Sequence, residues 1–489
     1  MEEIRLTPFA PALIESMRSV GYSLETSIAD LLDNSISAGA KNIRIRFDPL
    51  DSPHITIIDD GGGMGPEELT QAMRHGSMSP LASRSSSDLG RFGLGLKTAS
   101  LAQCRVLTVI SKKKGTVSAK QWNLDLIMER EDWILLSPNR DEILDFPHAA
   151  DLDLLEHGTV VVWQNLDRLI AGEKSVRDAI EHHMRHAREH LGLVFHRYLS
   201  DEDASGKVAI SINENPVIPV DPFLRKSSAT QALPMEKFSV EGEIVTVTPY
   251  ILPHISKLTS EERKLAGGEE GLRKHQGFYV YRNRRLVIWG TWFRLARMDE
   301  LSKLARVQVD IPNSLDHLWT LDVKKSTMYP PHIVRQNISR IIGRIAEGSR
   351  RVYTFRGRKT PPENMIPIWS RIDSREGIFY RISKDHPIIS AIADKLDSEG
   401  RSLFYSLFRT IENGFPRDAL YADMASDSGG TMGEELYTDE ELLEVAKNFI
   451  SLASETLSMD EIMKILPICE PFGLYPAKTV QIMGVIKNG

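Results

Sequence analysis

The chain is poor in cysteine. Its 489 residues contain only Cys104 and Cys469, which excludes a disulfide framework and a cysteine-based zinc finger. Long apolar runs are missing too: no stretch of about 18 apolar residues occurs, so no membrane-spanning helix is expected. The start, MEEIRLTPFAPALIESM, lacks the basic segment and apolar stretch of a signal peptide. The expectation is a cytoplasmic protein in a reducing compartment. Positive charge is not in excess either. A net charge of −7 excludes a surface coated for nucleic acid, while leaving room for a local basic groove. The remainder, 41% hydrophobic and 26% charged, is ordinary globular composition with core enough for two to four domains.

Helical and extended stretches alternate from Pro8 to about Val162. A helix runs through Asp30 to Ser37, and NIRIRF, HITIID, CRVLTVISKK and HGTVVVW read as strands. The mixture predicts an α+β domain over residues 1–170, with helices laid on one sheet as a two-layer α/β sandwich. Within it, AMRHGSMSPLASRSSSDLG, from Ala72 to Gly90, is Ser-rich and reads as a mobile loop, and SKKKGT reads as a hairpin tip. The helix EHHMRHAREHLGLVFHRYL leads into a second α/β region, residues 171–335, with strand candidates KVAISIN, IVTVTPYIL and GFYVYRNRRLVIW. Two prolines after WTLDVKKSTMY punctuate its end. Residues 336–489 are expected to be mostly helical, with no role assigned.

Three short segments carry chemistry. On the opening helix, Ile28, Leu31, Leu32 and Ile36 make one apolar face, and Asp30 and Asn34, four residues apart, stack on roughly the opposite side. An amide oxygen is a hard ligand suited to magnesium, and a carboxylate beside it can orient or deprotonate water. A solvated polar face, with Asp33 and Asn34 near the helix end, explains the same stretch. Next, HITIIDDGGGMG sets Asp59 at a strand tip before Gly61, Gly62, Gly63 and Gly65. Clustered glycines admit close backbone approach, and a carboxylate there can accept from the exocyclic amine of adenine; a hairpin turn is the rival reading. Third, DLGRFGLGLKTASLAQ brings Gly90, Gly93, Leu94 and Gly95 to a helix starting near Lys97, where backbone N–H groups suit phosphate. Leu96 between Gly95 and Lys97 excludes a P-loop, and Thr98 stands where a dinucleotide fingerprint needs glycine.

Together and in this order, the segments resemble the ATP-binding Bergerat fold of the GHKL superfamily, which includes gyrase, the heat-shock chaperone, histidine kinases and MutL. The resemblance implies that Asn34 holds Mg2+, that Asp59 contacts the adenine amino group, and that Gly61 and Gly63 shape the base pocket beside Met64. It implies that Gly90, Gly93 and Gly95 belong to a lid over the phosphates, with Leu94 and Lys97 among the nucleotide contacts. HGTVVVW matches a late Gly-Thr pair and puts Thr159 near the adenine. One departure stands out: hydrolysing members carry Glu four residues before the Asn, and this chain has Asp30, one methylene shorter. Asp30 is the candidate base. GFYVYRNRRLVIWGTW and WTLDVKKST look like the transducer domain of gyrase, MutL and the MORC ATPases, with Lys325, and Lys324 beside it, as the lysine that reaches back to the γ-phosphate. RFGLGLKTAS and YRNRRLV look most like compact prokaryotic MORC proteins.

The implied function is a slow, magnesium-dependent ATPase that forms a homodimer on binding ATP and acts on DNA or a partner protein, in phage defence, restriction or repair. Its alternative is a non-hydrolysing nucleotide-gated clamp in which Asp30 is a poor base. A histidine kinase is disfavoured because the Asn helix begins near residue 25, leaving no room upstream for a phosphoacceptor hairpin. Neither a topoisomerase cleavage domain nor the metal cluster of nicking MutL proteins is visible. RRVYTFRGRKTPP mixes Arg, Lys and aromatics in a way that suits a nucleic-acid backbone, and DNA contact is expected there. His182, His186 and His190 share a helical face, but the interleaved Arg185 and Arg188 fit a solvated interdomain helix better than a metal site.

Overall fold

Short, β-branched stretches build the first sheet of the computed structural model. Its strands are β1 (Asn42–Asp48), β2 (His54–Asp59), β3 (Val106–Lys113), β4 (Thr116–Asn123), β5 (Leu135–Leu136), β6 (Gly158–Gln164), β7 (Ala209–Ile212) and β8 (Asn215–Pro216). They lie in the order β5-β4-β3-β6-β2-β1-β7-β8, antiparallel except where β7 runs parallel to β1. The structure describes residues 3, 7–19, 21–50, 52–76, 89, 95–200, 206–254, 257–267, 271–298, 302–321, 328–354, 365–374, 377–415 and 437–488. The strands expected from alternation are present, and the KKKG tip joins β3 to β4.

Alternation decides which side of the sheet each residue serves. Ile55 and Ile57 of β2, Leu107 and Val109 of β3, and Val161 and Trp163 of β6 share one core with the helices. Ile58, Ile110, Val160 and Val162, one residue out of phase, share a smaller core with Ile143, Ala149 and Leu152. The helices of this first region are α1 (Ala10–Arg18), α2 (Leu24–Ser37), α3 (Pro66–Met73), α4 (Gly95–Leu101), α5 (Leu124–Arg130), α6 (Arg140–Leu144) and α7 (Val176–Val194). Helix α2 is sunk in the larger core: Ile28, Leu31 and Leu32 are buried there, each stabilising the fold by roughly 1.5–3 kcal/mol. It packs against both α4 and α7.

A second sheet follows, with strands β9 (Gln231–Ala232), β10 (Glu236–Val240), β11 (Glu243–Ile251), β12 (Gly277–Arg282), β13 (Arg285–Thr291) and β14 (Ala305–Ile311). Its order is β10-β11-β14-β12-β13, with β9 paired to β11. The YRNRRLV segment forms the β12–β13 hairpin, turning at Asn283 and Arg284, both at positive φ (48° and 69°), the conformation that a right-twisted two-residue turn requires. Every residue of β12 is buried.

The chain divides into two compact units, residues 1–350 and 351–489, the first of which holds both sheets. The second unit is mostly helical, with helices Pro387–Asp394, Ser398–Asn413, Asp439–Ala453, Met459–Ile465 and Pro476–Asn488 beside one hairpin, Trp369–Ser374 with Gly377–Ile382. Its own core gathers Leu442, Ala446, Phe449, Ile462, Leu466 and Phe472. Mixed α/β content with a helical C-terminal region is the class the sequence predicts. Among the described residues, no helix is long and apolar enough to cross a membrane.

Candidate functional site

Register sets the first half of the site. Asp59 at the tip of β2 pairs with Thr159 of β6, and Thr159 pairs with Ser111 of β3, so three polar side chains form a row on the helix-bearing side of the sheet. All three are buried. The Ser111 hydroxyl lies 2.9 Å from the Thr159 hydroxyl and 3.0 Å from the Gly158 carbonyl, and it accepts from the Met64 N–H at 2.8 Å. The glycine loop is thereby fastened to β3 and β6. Gly63, at φ +63°, passes so close to β3 that a Cβ there would sit 2.0 Å from the Lys112 carbonyl oxygen. A Cβ at Gly158 would sit 2.3 Å from the Asp59 carbonyl oxygen. Only residues without side chains fit at these two crossings.

Asp59 is held from both sides: Ser35 of α2 donates to Oδ2 at 2.8 Å, and the Gly61 N–H donates to Oδ1 at 2.9 Å. Burial nonetheless raises its carboxyl above the ordinary 3.8, outweighing those two hydrogen bonds. Protonation therefore favours the folded state. Its stabilising effect is full below 3.8 and lost as pH rises through the raised value. Once ionised, that carboxylate would be a strong acceptor for an adenine amine. We expect ATP affinity to fall on acidification, starting above the ordinary Asp range, with the step absent from Asp59→Asn; titrations of nucleotide binding against pH would reveal it. A drop identical in both proteins would belong to the nucleotide and not to Asp59.

The second half is α2. Asp30 is 5% exposed, and Tyr22, just ahead of the helix, donates its hydroxyl to Asp30 Oδ2 at 3.0 Å. Asn34, one turn on, is exposed. Gly95, the first residue of α4, packs on Asp30: a Cβ there would lie 3.7 Å from Oδ2. Gln103, beyond α4, bonds the Tyr22 carbonyl and the Ser27 hydroxyl, both at 3.0 Å, tying α4 to the start of α2. Among the described residues, no group of three or more His, Cys, Asp or Glu side chains could hold a metal. A magnesium ion at Asn34 would therefore draw most of its shell from phosphate and water, which is how magnesium is usually held. The donor chemistry fits.

Lys97 in α4 is 2% exposed, and its ammonium donates to the Ala72 carbonyl at 2.8 Å. Burial lowers it to about 8. Gly90, Gly93, Leu94, Lys324 and Lys325 lie outside the described residues. Leu89 is described: it is buried, its N–H donates to Ser37 Oγ at 3.0 Å, and its carbonyl accepts from Arg282 at 2.9 Å.

Asp33 sits 1% exposed in a buried ion pair, with both of its oxygens 3.1 Å from Arg285 Nε on β13. A solvated polar face therefore does not describe this helix. Sequence reading also leaves out Tyr22, which lies just ahead of α2, and Ser35 and Ser111, whose partners stand too far along the chain to leave a local pattern. Away from the site, His182 and His186 face each other with their Nε2 atoms 3.2 Å apart, while His190 lies against Trp289.

Comparison with known proteins agrees with this geometry. Residues 22–159, from Tyr22 to Thr159, match the family described as "Histidine kinase-, DNA gyrase B-, and HSP90-like ATPase". The chain is 34% identical over 95 residues to "ATPase morc-1" of Caenorhabditis elegans, a stretch covering 19% of this chain and only 11% of that protein. It also overlays a solved structure described as "Crystal Structure of N terminal domain of a DNA repair protein", at 15% identity and a TM-score of 0.42, covering 70% of this chain and 98% of the other. That overlay is too loose to bear on function. The helix with Asp30 and Asn34, the Asp59 strand and the Gly158–Thr159 pair that opens β6 all fall within the matched span, and it is residues 22–159 of this chain that are similar to that family.

Proposed function

We propose that the chain binds ATP with magnesium and hydrolyses it slowly, as a MORC-like ATPase whose nucleotide state is passed on to DNA or a partner protein. The observation that carries this reading is the convergence of Asp59, anchored by Ser35 and Gly61, with Asp30 and Asn34 on the helix that supplies Ser35. Adenine's amine would meet Asp59 at the sheet, and the triphosphate would run toward Asn34 and the start of α4. A bound magnesium ion would neutralise phosphate charge there, with the Asn34 amide oxygen among its ligands. Asp30 would take a proton from water as that water attacks the γ-phosphorus. The bond to the β–γ bridging oxygen then breaks, leaving ADP and phosphate. Lys324 and Lys325 are the proposed sensors of the γ-phosphate. Residues 1–170 would bind nucleotide, residues 171–335 would relay its presence, and a homodimer would close when it binds. The role of residues 336–489 is left open by this reading. A part in phage defence, restriction or repair would suit such a switch.

A second reading has support in one contact. The Tyr22 hydroxyl occupies one oxygen of Asp30, leaving less of the carboxylate to meet a water, and Asp reaches less far than Glu. A clamp that binds ATP and does not turn it over would result. Phosphate release and ATP binding, measured with and without magnesium, separate the two. Hydrolysis predicts magnesium-dependent release, with Asn34→Ala binding magnesium–ATP roughly tenfold or more weakly. Tight binding without release supports the clamp, and no binding in the wild type sinks both.

A further inference from the structure

Two buried arginines flanking the turn of one hairpin carry the second sheet into the nucleotide domain. Arg285, the first residue of β13, is buried and grips both oxygens of Asp33 while also donating to its neighbour's carbonyl, Leu286 O, at 2.9 Å. Its guanidinium lies over the Phe195 ring, 5.7 Å from the centroid. Arg282, the last residue of β12, is buried as well: its Nε meets both Asp316 oxygens at 2.8 and 2.9 Å, and its other arm holds the Leu89 carbonyl. Leu89 is bonded at its other end to Ser37, the last residue of α2. The hairpin thus holds α2 directly through Asp33 and indirectly through Leu89.

We propose that Arg285 and Arg282 are positioning residues of the ATP site. They fix the rotation and axial placement of α2, and so the placement of Asp30 and Asn34, from outside the domain that carries those residues. The proposal rests on the ATPase reading above. Asp33 stands between Asp30 and Asn34 on the same helix, so the Arg285 Nε–H shared between its two oxygens constrains both. Among the described residues, no hydrogen bond joins either arginine to a residue assigned to nucleotide. A rigid helix transmits a displacement at Asp33 to Asp30 within one turn, and misplacement of a catalytic group by about 1 Å can lower turnover by about 100-fold. The same path runs in reverse: a nucleotide that orders α2 also orders the hairpin.

Removing one partner alone leaves a buried charge and risks loss of the fold. The decisive protein is therefore the double variant Asp33→Asn/Arg285→Gln, in which neither partner is charged, assayed as the full chain beside Arg285→Lys and Arg282→Gln. The expected result is a fall in kcat of about 10- to 100-fold with KM for magnesium–ATP changed by less than about threefold. Arg282→Gln should show a smaller fall, and Arg285→Lys, which keeps the charge and loses the guanidinium's contact with the Leu286 carbonyl, an intermediate one. Hydrogen exchange supplies the readout a merely structural role would not move. In the wild type, ATP should slow exchange across residues 282–286 as well as in α2, and in the double variant it should slow α2 alone. Unchanged kcat in the double variant, or no ATP-linked protection of the hairpin in the wild type, overturns the role of the arginines and leaves the ATPase reading standing. A wild type that neither binds nor hydrolyses ATP overturns both.

Discussion

Asp30→Asn should reduce phosphate release by about 10²- to 10⁴-fold while leaving ATP bound, the range over which a positioned acid–base group acts. The substitution is nearly isosteric. The side-chain oxygen can still accept from Tyr22 and the space beside Gly95 is unchanged, so the loss falls on proton acceptance. Steady-state phosphate release and equilibrium nucleotide binding on the same preparation would distinguish the cases. Release that survives the substitution would move the base elsewhere, and the short reach of Asp compared with Glu would then count for nothing. Weakened binding, with release reduced only in proportion, would mean that Asp30 holds the phosphate end and does not act on water.

Gly63→Ala should have the largest effect on stability. The methyl would meet the Lys112 carbonyl oxygen at 2.0 Å and the Lys112 carbonyl carbon at 3.0 Å, both backbone atoms of a central strand that cannot swing away as a side chain would. An l-residue at positive φ costs about 1 kcal/mol, and overpacking adds about 1–3 kcal/mol, so a loss of about 2–4 kcal/mol is expected, along with weaker ATP binding. Gly62→Ala is the comparison: a Cβ there meets only the Ala38 carbonyl, at an ordinary 3.7 Å, so it should melt close to the wild type. Equal melting of the two variants in thermal denaturation would show that the loop yields freely and that its packing on β3 is not what fixes it.

The parts of the site that the sequence made legible were those encoded by short-range periodicity. Asp59 at the end of HITIID follows from strand alternation, and the pairing of Asp30 with Asn34 follows from the helical repeat. Thr159 was placed by a family resemblance, and the register opposite Asp59 gives that resemblance a geometric basis. What stayed hidden was long-range. Ser35 meets Asp59 24 positions away, Met64 meets Ser111 across 47, and Asp33 meets Arg285 across 252. No local pattern distinguishes Ser35 from any other helical serine, and an aspartate near a helix end reads as solvated until another sheet covers it. The eight-stranded order was likewise beyond reach, because pairing β7 with β1 joins segments that lie far apart along the chain, with strands β2 to β6 of the sheet and helix α7 between them.

The row Asp59–Thr159–Ser111 also bears on the choice of fuel. An ionised carboxylate with both oxygens engaged by donors is an acceptor at a fixed place on a strand, and it cannot turn to present a donor. Adenine offers an amine at that edge of its ring, whereas guanine offers a carbonyl, which would set its oxygen against those of Asp59. The selection among nucleotides would then be made by the stiffest part of the molecule, before any phosphate is engaged. A cell rich in both purine triphosphates would supply this protein with only one of them.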